Sequence, residues 1–568
     1  MTVITIREQG KTETGFNATL AIAGNNYNIT VNDPFDDREE QELEWYFEEW
    51  LCNPILEEVK ANRVAQTVER YGKNLFEQVF QSNIKAYSQY NGLRKDLSKI
   101  QIEIESITPE FHAIHWESLQ DPDLPRPLAI ESIFIRKSVE PASISAEVKE
   151  FPTVNLLVVI ARPHGDDDVG YRTISRPLVE AIRNAKLRVN IELLRPGTYE
   201  ALERHLESKG SGYYHIVHFD VHGALKSYED YQKGVKNNRY IYDVRYGRNK
   251  IEPYEGVKAF LALEGEEKGI SDPVEAQEIA DLLTGKGIPV CILNACQSGK
   301  QLQSTISETG REDNRETSLG SRLMNAGMRM VVAMSYSVTV TAAQVMMTQV
   351  YQHLFDKEDI YQAVRLGRRE LYNRKQRRAY YNMEIELEDW ILPVTYCNGK
   401  VDFNLREFTE KEEEKYYLSL DSKYEFRNPT YGFVGRDLDI LFIEKALIKH
   451  NILLLQGMGG TGKTTLLNYL REWWQVTNFA ENIFYFGYDE KAWNLQQIVY
   501  EIGQKVYDRF EFSKFQAMNL TVQWRKLSDK LRSESYILIL DNLESVTGEP
   551  LAIQNTLDEA ERAKIKQF

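Results

Sequence analysis

Residues 290–300 read VCILNACQSGK. An apolar run, Val290 to Leu293, gives way to Asn294, Ala295 and Cys296, and the chain then turns at Ser298–Gly299. Cysteine is among the most buried residue types, so one reading is simple packing. The other is display, because the carboxyl ends of strands in open α/β sheets are where ligands and reactive groups sit. The surrounding sequence repeats the pattern. VNLLVVIA (154–161), YHIVHFDVHG (214–223), KAFLALEG (258–265) and MRMVVAMSYSV (328–338) are apolar runs of strand length, separated by polar loops and helical stretches such as SRPLVEAIRNA (175–185). Near-continuous apolar strands joined through helices predict an α/β fold: a mostly parallel sheet sandwiched by helices. WILPVTYCNG (390–399) closes this region near residue 404.

Working outward, residues 1–31 alternate in short runs and read as strands and turns. Residues 38–98 carry helical periodicity, clearest in EQELEWYFEEWL and NLFEQVFQSNIKAY, and KIQIEIESI (99–107) returns to period two. Residues 1–150 therefore form an N-terminal α+β part, and 151–404 the α/β core. REFTEKEEEKYYLSLDSKYEFRNPTYG (406–432) is charged and weakly patterned, so 405–432 is read as a linker rather than a solvated helix. A second α/β unit occupies 433–568, with strands NILLLQG, NIFYFGY and YILILDN.

The 568 residues suffice for about three to four domains. A formal charge of −16 argues against a dominant nucleic-acid-binding role. The four cysteines, Cys52, Cys291, Cys296 and Cys397, lack metal-ligand spacing, so a reducing cytoplasm is expected and a disulfide framework is not. No signal peptide and no transmembrane run is read, so no membrane partner is expected.

GMGGTGKT (457–464) fits the P-loop pattern in its required context, after an apolar run and before a helix-like TTLLNYLREWW. Gly457, Gly459, Gly460, Thr461 and Gly462 let backbone N–H groups curl around phosphates, and the helix start that follows adds Thr465 and a favourable dipole. Lys463 would reach the β- and γ-phosphates and Thr464 would ligate Mg²⁺, with Asp541 at the end of YILILD as the acidic partner on the metal side. The implied cofactor is ATP with Mg²⁺. Glu544 is the weak candidate for a catalytic base, so hydrolysis is not assigned.

FVGRDLDI (433–440), the P-loop and LILDNLE together resemble the STAND class of signal-transducing NTPases. That resemblance implies base contacts from Val434 and Arg436, and oligomerisation through the module. It covers 433–568 only. The expected later elements of such a module do not appear, so the sequence reads as its N-terminal half and as a piece of something longer.

His222 ends the motif HFDVHG much as Cys296 ends its strand. If both strand ends point the same way, the two meet above the carboxyl edge. Spacing alone leaves open a structural histidine and an inert buried cysteine. AIHWESLQDP, ARPHGDDDVGYRTISRPLVEAI, YHIVHFDVHG, ILNACQSGK, SLGSRLMNAGMRMVVA and WILPVTY occur in the order expected of CHAT domains, and the chain resembles that family over roughly 100–404. The resemblance implies a caspase-like cysteine peptidase related to separase and the gingipains, with His222 and Cys296 as the catalytic pair. The N–H groups of Gly223 and Cys296 then suit an oxyanion hole. Two departures lie near the expected rim: Asp220-Val221 replaces a small pair before His-Gly, and MSYSV replaces a Trp-Pro-Val turn.

Asp168, in the GDDDVG loop, and Asp220 are candidates for a pocket that pairs a Lys or Arg side chain before the cleaved bond. The fused modules suggest a protease gated by a nucleotide switch in a prokaryotic signalling, defence or cell-death system. Its partners would be a protein substrate and a protein or signal trigger. An interaction scaffold with a nucleotide switch is the alternative. Cys291 and the Met-rich stretch 330–350 read as core packing, and basic 367–382 as a solvated helix face rather than a nucleic-acid surface.

Overall fold

The structure is a computed structural model. It describes residues 1–138, 148–164, 172, 175–184, 186–237, 251–265, 267, 269–294, 319–325, 327–336, 338–355, 359–379, 383–420, 433–489, 491–546 and 557–567. The chain divides into two compact units: 1–413 together with 437–450, and 414–436 together with 451–568.

In the first unit the strands are β1 (Thr2–Lys11), β2 (Phe16–Ile22), β3 (Asn25–Val31), β4 (Ile100–Glu105), β5 (Ile133–Lys137), β6 (Val154–Ile160), β7 (Val189–Leu194), β8 (Ile216–Asp220), β9 (His222–Ser227), β10 (Val257–Glu264), β11 (Ser271–Glu275), β12 (Val290–Asn294), β13 (Met330–Met334), β14 (Gln376–Arg378), β15 (Glu384–Glu386) and β16 (Pro393–Cys397). Eleven of them make one sheet, in the order β3-β2-β1-β4-β5-β16-β13-β12-β8-β6-β7. Its core half, β13-β12-β8-β6-β7, is wholly parallel. β16 runs antiparallel to β13 and turns the direction for β5, β4 and β1. The N-terminal strands thus extend the same sheet as the core.

Burial explains the sequence pattern. Every residue of β6 is buried, because both faces are covered, whereas β1 alternates buried with exposed positions over its first half. On one face, Leu157, Val159, Val217, Phe219, Cys291, Leu293, Val331 and Ala333 pack against Leu202 and Leu206 of the helix Tyr199–Lys209 and Ile279 and Leu283 of the helix Ala276–Gly285. The intervening Leu156, Val158, Ile216 and Ile292 are buried too.

Several elements differ from the sequence reading. KAFLALEG was expected in the parallel sheet, but β10 lies in a separate antiparallel sheet, β11-β10-β9. The chain leaves β8 at Val221, and β9 offers β10 a ladder outside the large sheet. Within the expected linker, Glu410–Leu420 is a helix. Thr409 starts it: the Thr409 N–H and hydroxyl both donate to Glu412 Oε2, at 2.9 and 2.8 Å. The basic stretch 367–382 is not one solvated face, since Arg368 and Arg377 are buried. Arg377 forms a two-pronged pair with Asp389 at 2.5 and 2.7 Å, and Arg368 donates to the Pro393 carbonyl. The methionines Met330, Met334, Met346 and Met347 are core residues, as expected.

In the second unit β17 (Asn482–Gly487) and β18 (Tyr536–Asp541) pair in parallel. Phe484 and Phe486 pack on Ile498, Val499 and Ile502 of the helix Leu495–Val506. NILLLQG was expected as a strand and is not one. It has no strand neighbour among the described residues, and Ile452 and Leu454 lie exposed. The helix Asp437–Lys449, assigned by sequence to the nucleotide module, belongs to the first compact unit.

Candidate active site

β8 and β12 are parallel neighbours, and Asp220 is the register partner of Asn294. His222 lies two residues beyond Asp220, and Cys296 two residues beyond Asn294. The two strands that lead to the expected pair therefore end side by side at one edge. Cys296 and Asp168 lie outside the described residues. His222 opens β9, in register with Ala262 of β10, and Gly223 follows in register with Leu261. The imidazole thus sits where the chain passes from the large sheet to the small one, half-buried.

Asp220 ends β8. It is buried, and Arg162 Nη2 donates to its Oδ2 at 2.8 Å. Arg162 Nη1 also donates to the Asp220 carbonyl at 2.8 Å and to that of Ala161 at 2.9 Å. Burial pushes the Asp220 carboxyl above its ordinary range, while the Arg162 guanidinium and then His222 pull the other way. Its partner is thus a cation of the chain itself. Arg162 and His164 were not singled out from sequence. The His164 ring lies 6.3 Å, centroid to centroid, from that of His222. The available signal was ARPHG directly after the first core strand, since loops at that edge carry function.

Cys291 is fully buried in the core, and burial pushes its thiol up, which makes it an inert packing residue. His218, on β8, is fully buried, and its two ring nitrogens have no hydrogen-bond partner among the described residues. Burial lowers its pKa to about 4. Beside β10 a cavity of about 970 Å³ is lined by residues that include Arg162, Glu264, Phe442 and Lys445.

In the second unit, the loop 457–462 leads into the helix Lys463–Val476. Gly460 and Gly462 have φ of 81° and 84°, where glycine alone is unstrained. Space is open around Gly459, Gly460 and Gly462. Lys463 Nζ folds into the loop and donates to the carbonyls of Gly457 (2.7 Å) and Met458 (3.1 Å). Thr461 Oγ1 donates to the Met458 carbonyl, and Arg436 Nη2 to that of Thr461 at 2.6 Å. Val434 is exposed, and the preceding Phe433 stacks on Tyr469 at 4.2 Å. Thr464 and Thr465 stand in the first turn of the helix. Asp541 ends β18, buried, and accepts from the Tyr485 hydroxyl at 2.8 Å. Glu544 is exposed. An open glycine loop, a helix N-terminus and an ammonium group make a donor set that fits a polyphosphate.

Among the described residues no helix is long and apolar enough to cross a membrane. Two solved structures of the Saccharomyces cerevisiae separase–securin complex are similar to the chain. The one at 2.6 Å resolution is 10% identical, covers 70% of this chain and 30% of that chain, and has a TM-score of 0.36. The one at 3.0 Å is 11% identical, covers 64% and 22%, and has a TM-score of 0.26. The chain thus spans less than a third of the chains it matches there. No curated protein matches it. The family description "CHAT domain" matches residues 69–417, more than half of the chain and all of the strands from β4 to β16, and the chain belongs to the CHAT-domain family.

Proposed function

We propose that this chain is a caspase-like cysteine endopeptidase that uses His222 and Cys296, with a nucleotide-binding module as its gate. The observation that carries the reading is the register of Asp220 with Asn294, which ends the two motif-bearing strands side by side. Family membership supports it independently.

In this reading His222 takes the proton of the Cys296 thiol. The thiolate attacks the carbonyl carbon of the substrate peptide, and the N–H groups of Gly223 and Cys296 hold the oxyanion. When the tetrahedral species collapses, the C–N bond breaks and His222 returns its proton to the leaving amine. Water, deprotonated by His222, then hydrolyses the thioester. For selection before the cleaved bond, the acidic GDDDVG loop with Asp168 supports a Lys or Arg preference. The pairing of Asp220 with Arg162 favours Asp168 over Asp220 for this role.

The nucleotide module would hold ATP with Mg²⁺ through the 457–462 loop, Lys463, Thr464 and Asp541. Arg436 would act from beside the loop. Bound nucleotide would bias a conformational switch. Lys463 would exchange its contacts to the Gly457 and Met458 carbonyls for phosphate oxygens. Partners in this reading are a protein substrate and a signal trigger, in the cytoplasm.

Turnover of a fluorogenic peptide panel by wild type, Cys296→Ala and His222→Ala tests the proposal. Loss of cleavage in both variants with an unchanged melting curve supports the dyad. Full activity in Cys296→Ala removes it.

A further inference from the structure

The helix Asp437–Lys449 is fastened at three points: to Arg172, to Arg195 just after β7, and to Glu264 at the end of β10. Asp437 Oδ1 accepts from Arg172 Nε at 3.0 Å and from the Arg172 N–H at 3.2 Å. Glu444 pairs with Arg195 Nε at 2.8 Å, both side chains nearly fully buried. Lys445 Nζ lies 3.0 Å from Glu264 Oε1. Ile440, Leu441 and Ile443 supply the buried apolar side of the helix.

The third contact leads to His222 by two routes. Glu264 lies two residues beyond Ala262, the ladder partner of His222. The same Glu264 Oε1 accepts the Arg162 N–H at 3.0 Å. The Arg162 side chain in turn grips both the carboxylate and the carbonyl of Asp220, two residues before His222. One residue, Arg162, thus ties the strand that precedes His222 to the strand that pairs with it, and Lys445 holds the carboxylate they share.

Stability is a weak reason for such a network. Buried ion pairs lose most of their attraction to desolvation, and apolar residues of equal volume often do as well. What a fully hydrogen-bonded network supplies is fixed geometry. Catalytic groups need it, because a misplacement of about 1 Å costs on the order of a hundredfold in rate.

We propose that Arg162 and Glu264 are positioning residues for the His222 imidazole, and that the helix Asp437–Lys449 sets their geometry through Lys445. The inference rests on the reading of His222 as the catalytic base. It adds that the peptidase reaches its working geometry only with this helix seated. The chain runs from the helix directly into the stretch that ends in the Gly457–Thr464 loop.

The test uses the full chain as wild type, Lys445→Met, Lys445→Arg, Glu264→Gln and His222→Ala. Two quantities are read: steady-state cleavage of a fluorogenic peptide, and the His222 imidazole resonance in protein labelled at histidine. In Lys445→Met, kcat is expected to fall about tenfold with KM within about twofold, the split that marks lost positioning rather than lost binding. The His222 resonance shifts, and Lys445→Arg restores both readouts. Wild-type kcat with an unmoved resonance in Lys445→Met overturns the proposal. The resonance alone decides it in a preparation without turnover. Should Glu264→Gln fail to fold, the partly exposed Lys445 still carries the test. Activity retained in His222→Ala would sink the dyad instead. Inactive His222→Ala beside an unaffected Lys445→Met sinks the positioning role alone.

Discussion

Asp220 and Asn294 face each other as register partners on adjacent parallel strands. Each stands two residues before a member of the proposed dyad, so a shift of either strand would separate the pair. The ladder that fixes this register is buried: Val217, Phe219, Cys291 and Leu293 are all inaccessible. A residue-sized slip would turn those side chains to the wrong face.

The first prediction separates Asp220 from substrate choice. Removing one partner of a buried ion pair strands the other charge and costs about 3–5 kcal/mol. Arg162→Met is therefore expected to lower the melting temperature markedly. Asp220→Asn should do so less, and it should leave the preference for Lys or Arg before the cleaved bond intact. Asp168→Asn should weaken that preference. A peptide library cut with the same loss of selectivity by Asp220→Asn would restore it to the pocket.

The second concerns acid. His218 has an ordinary pKa of 6.5 that burial lowers to about 4, and His215 is lowered to about 4 by the same cause. Between those values the unfolded chain binds protons that the folded chain refuses, so stability rises with pH. It is fully present above pH 6.5 and is lost as pH falls toward 4. For one such group the loss is on the order of 3 kcal/mol. Melts at several pH values should show a shallower decline for His218→Leu than for wild type. Identical slopes would mean that His218 is not the neutral core residue described here.

The third addresses nucleotide. Lys463→Ala removes a phosphate contact and Asp541→Ala weakens metal placement. Calorimetric titration with ATP and Mg²⁺ should show binding in wild type and at least about a tenfold loss in Lys463→Ala, the weight of one charge-assisted contact. Equal affinity in both would reject the site.

The fourth is a contrast between cysteines. Cys291 is packed and its thiol is held protonated by burial. Cys291→Ala should cost on the order of 1 kcal/mol of stability and leave cleavage unchanged. Loss of cleavage there with a normal melt would point to the wrong nucleophile.

The parallel core was legible because strands buried on both faces are apolar along nearly their whole length, as in β6 and β12. The strand-end motifs carrying His222 and Cys296 were legible for the same reason, since the apolar run stops where they begin. Membership of a sheet was not, because β10 has the same composition whether it pairs with β9 or joins the large sheet. The helix at Glu410–Leu420 had a readable signal in Thr409 and Glu412, outweighed by the run of like charges around it. Arg162 gave no signal of its own, because its contacts are with Asp220 and Glu264, both remote in sequence. The docking of Asp437–Lys449 is likewise set by Arg172, Arg195 and Glu264, which proximity to the P-loop hides. The run NILLLQG shows the converse limit: apolar composition makes a strand only where a neighbour exists to pair with it.

The central claim is that Cys296 is a nucleophile activated by His222. Its most direct test is labelling with an electrophilic peptide probe ending in Arg or Lys, followed by mass-spectrometric mapping of the modified residue. The expected result is modification of Cys296, with Cys291 and Cys397 untouched, and loss of labelling in His222→Ala. Labelling of Cys296 that persists unchanged in His222→Ala, or labelling elsewhere, would contradict the account.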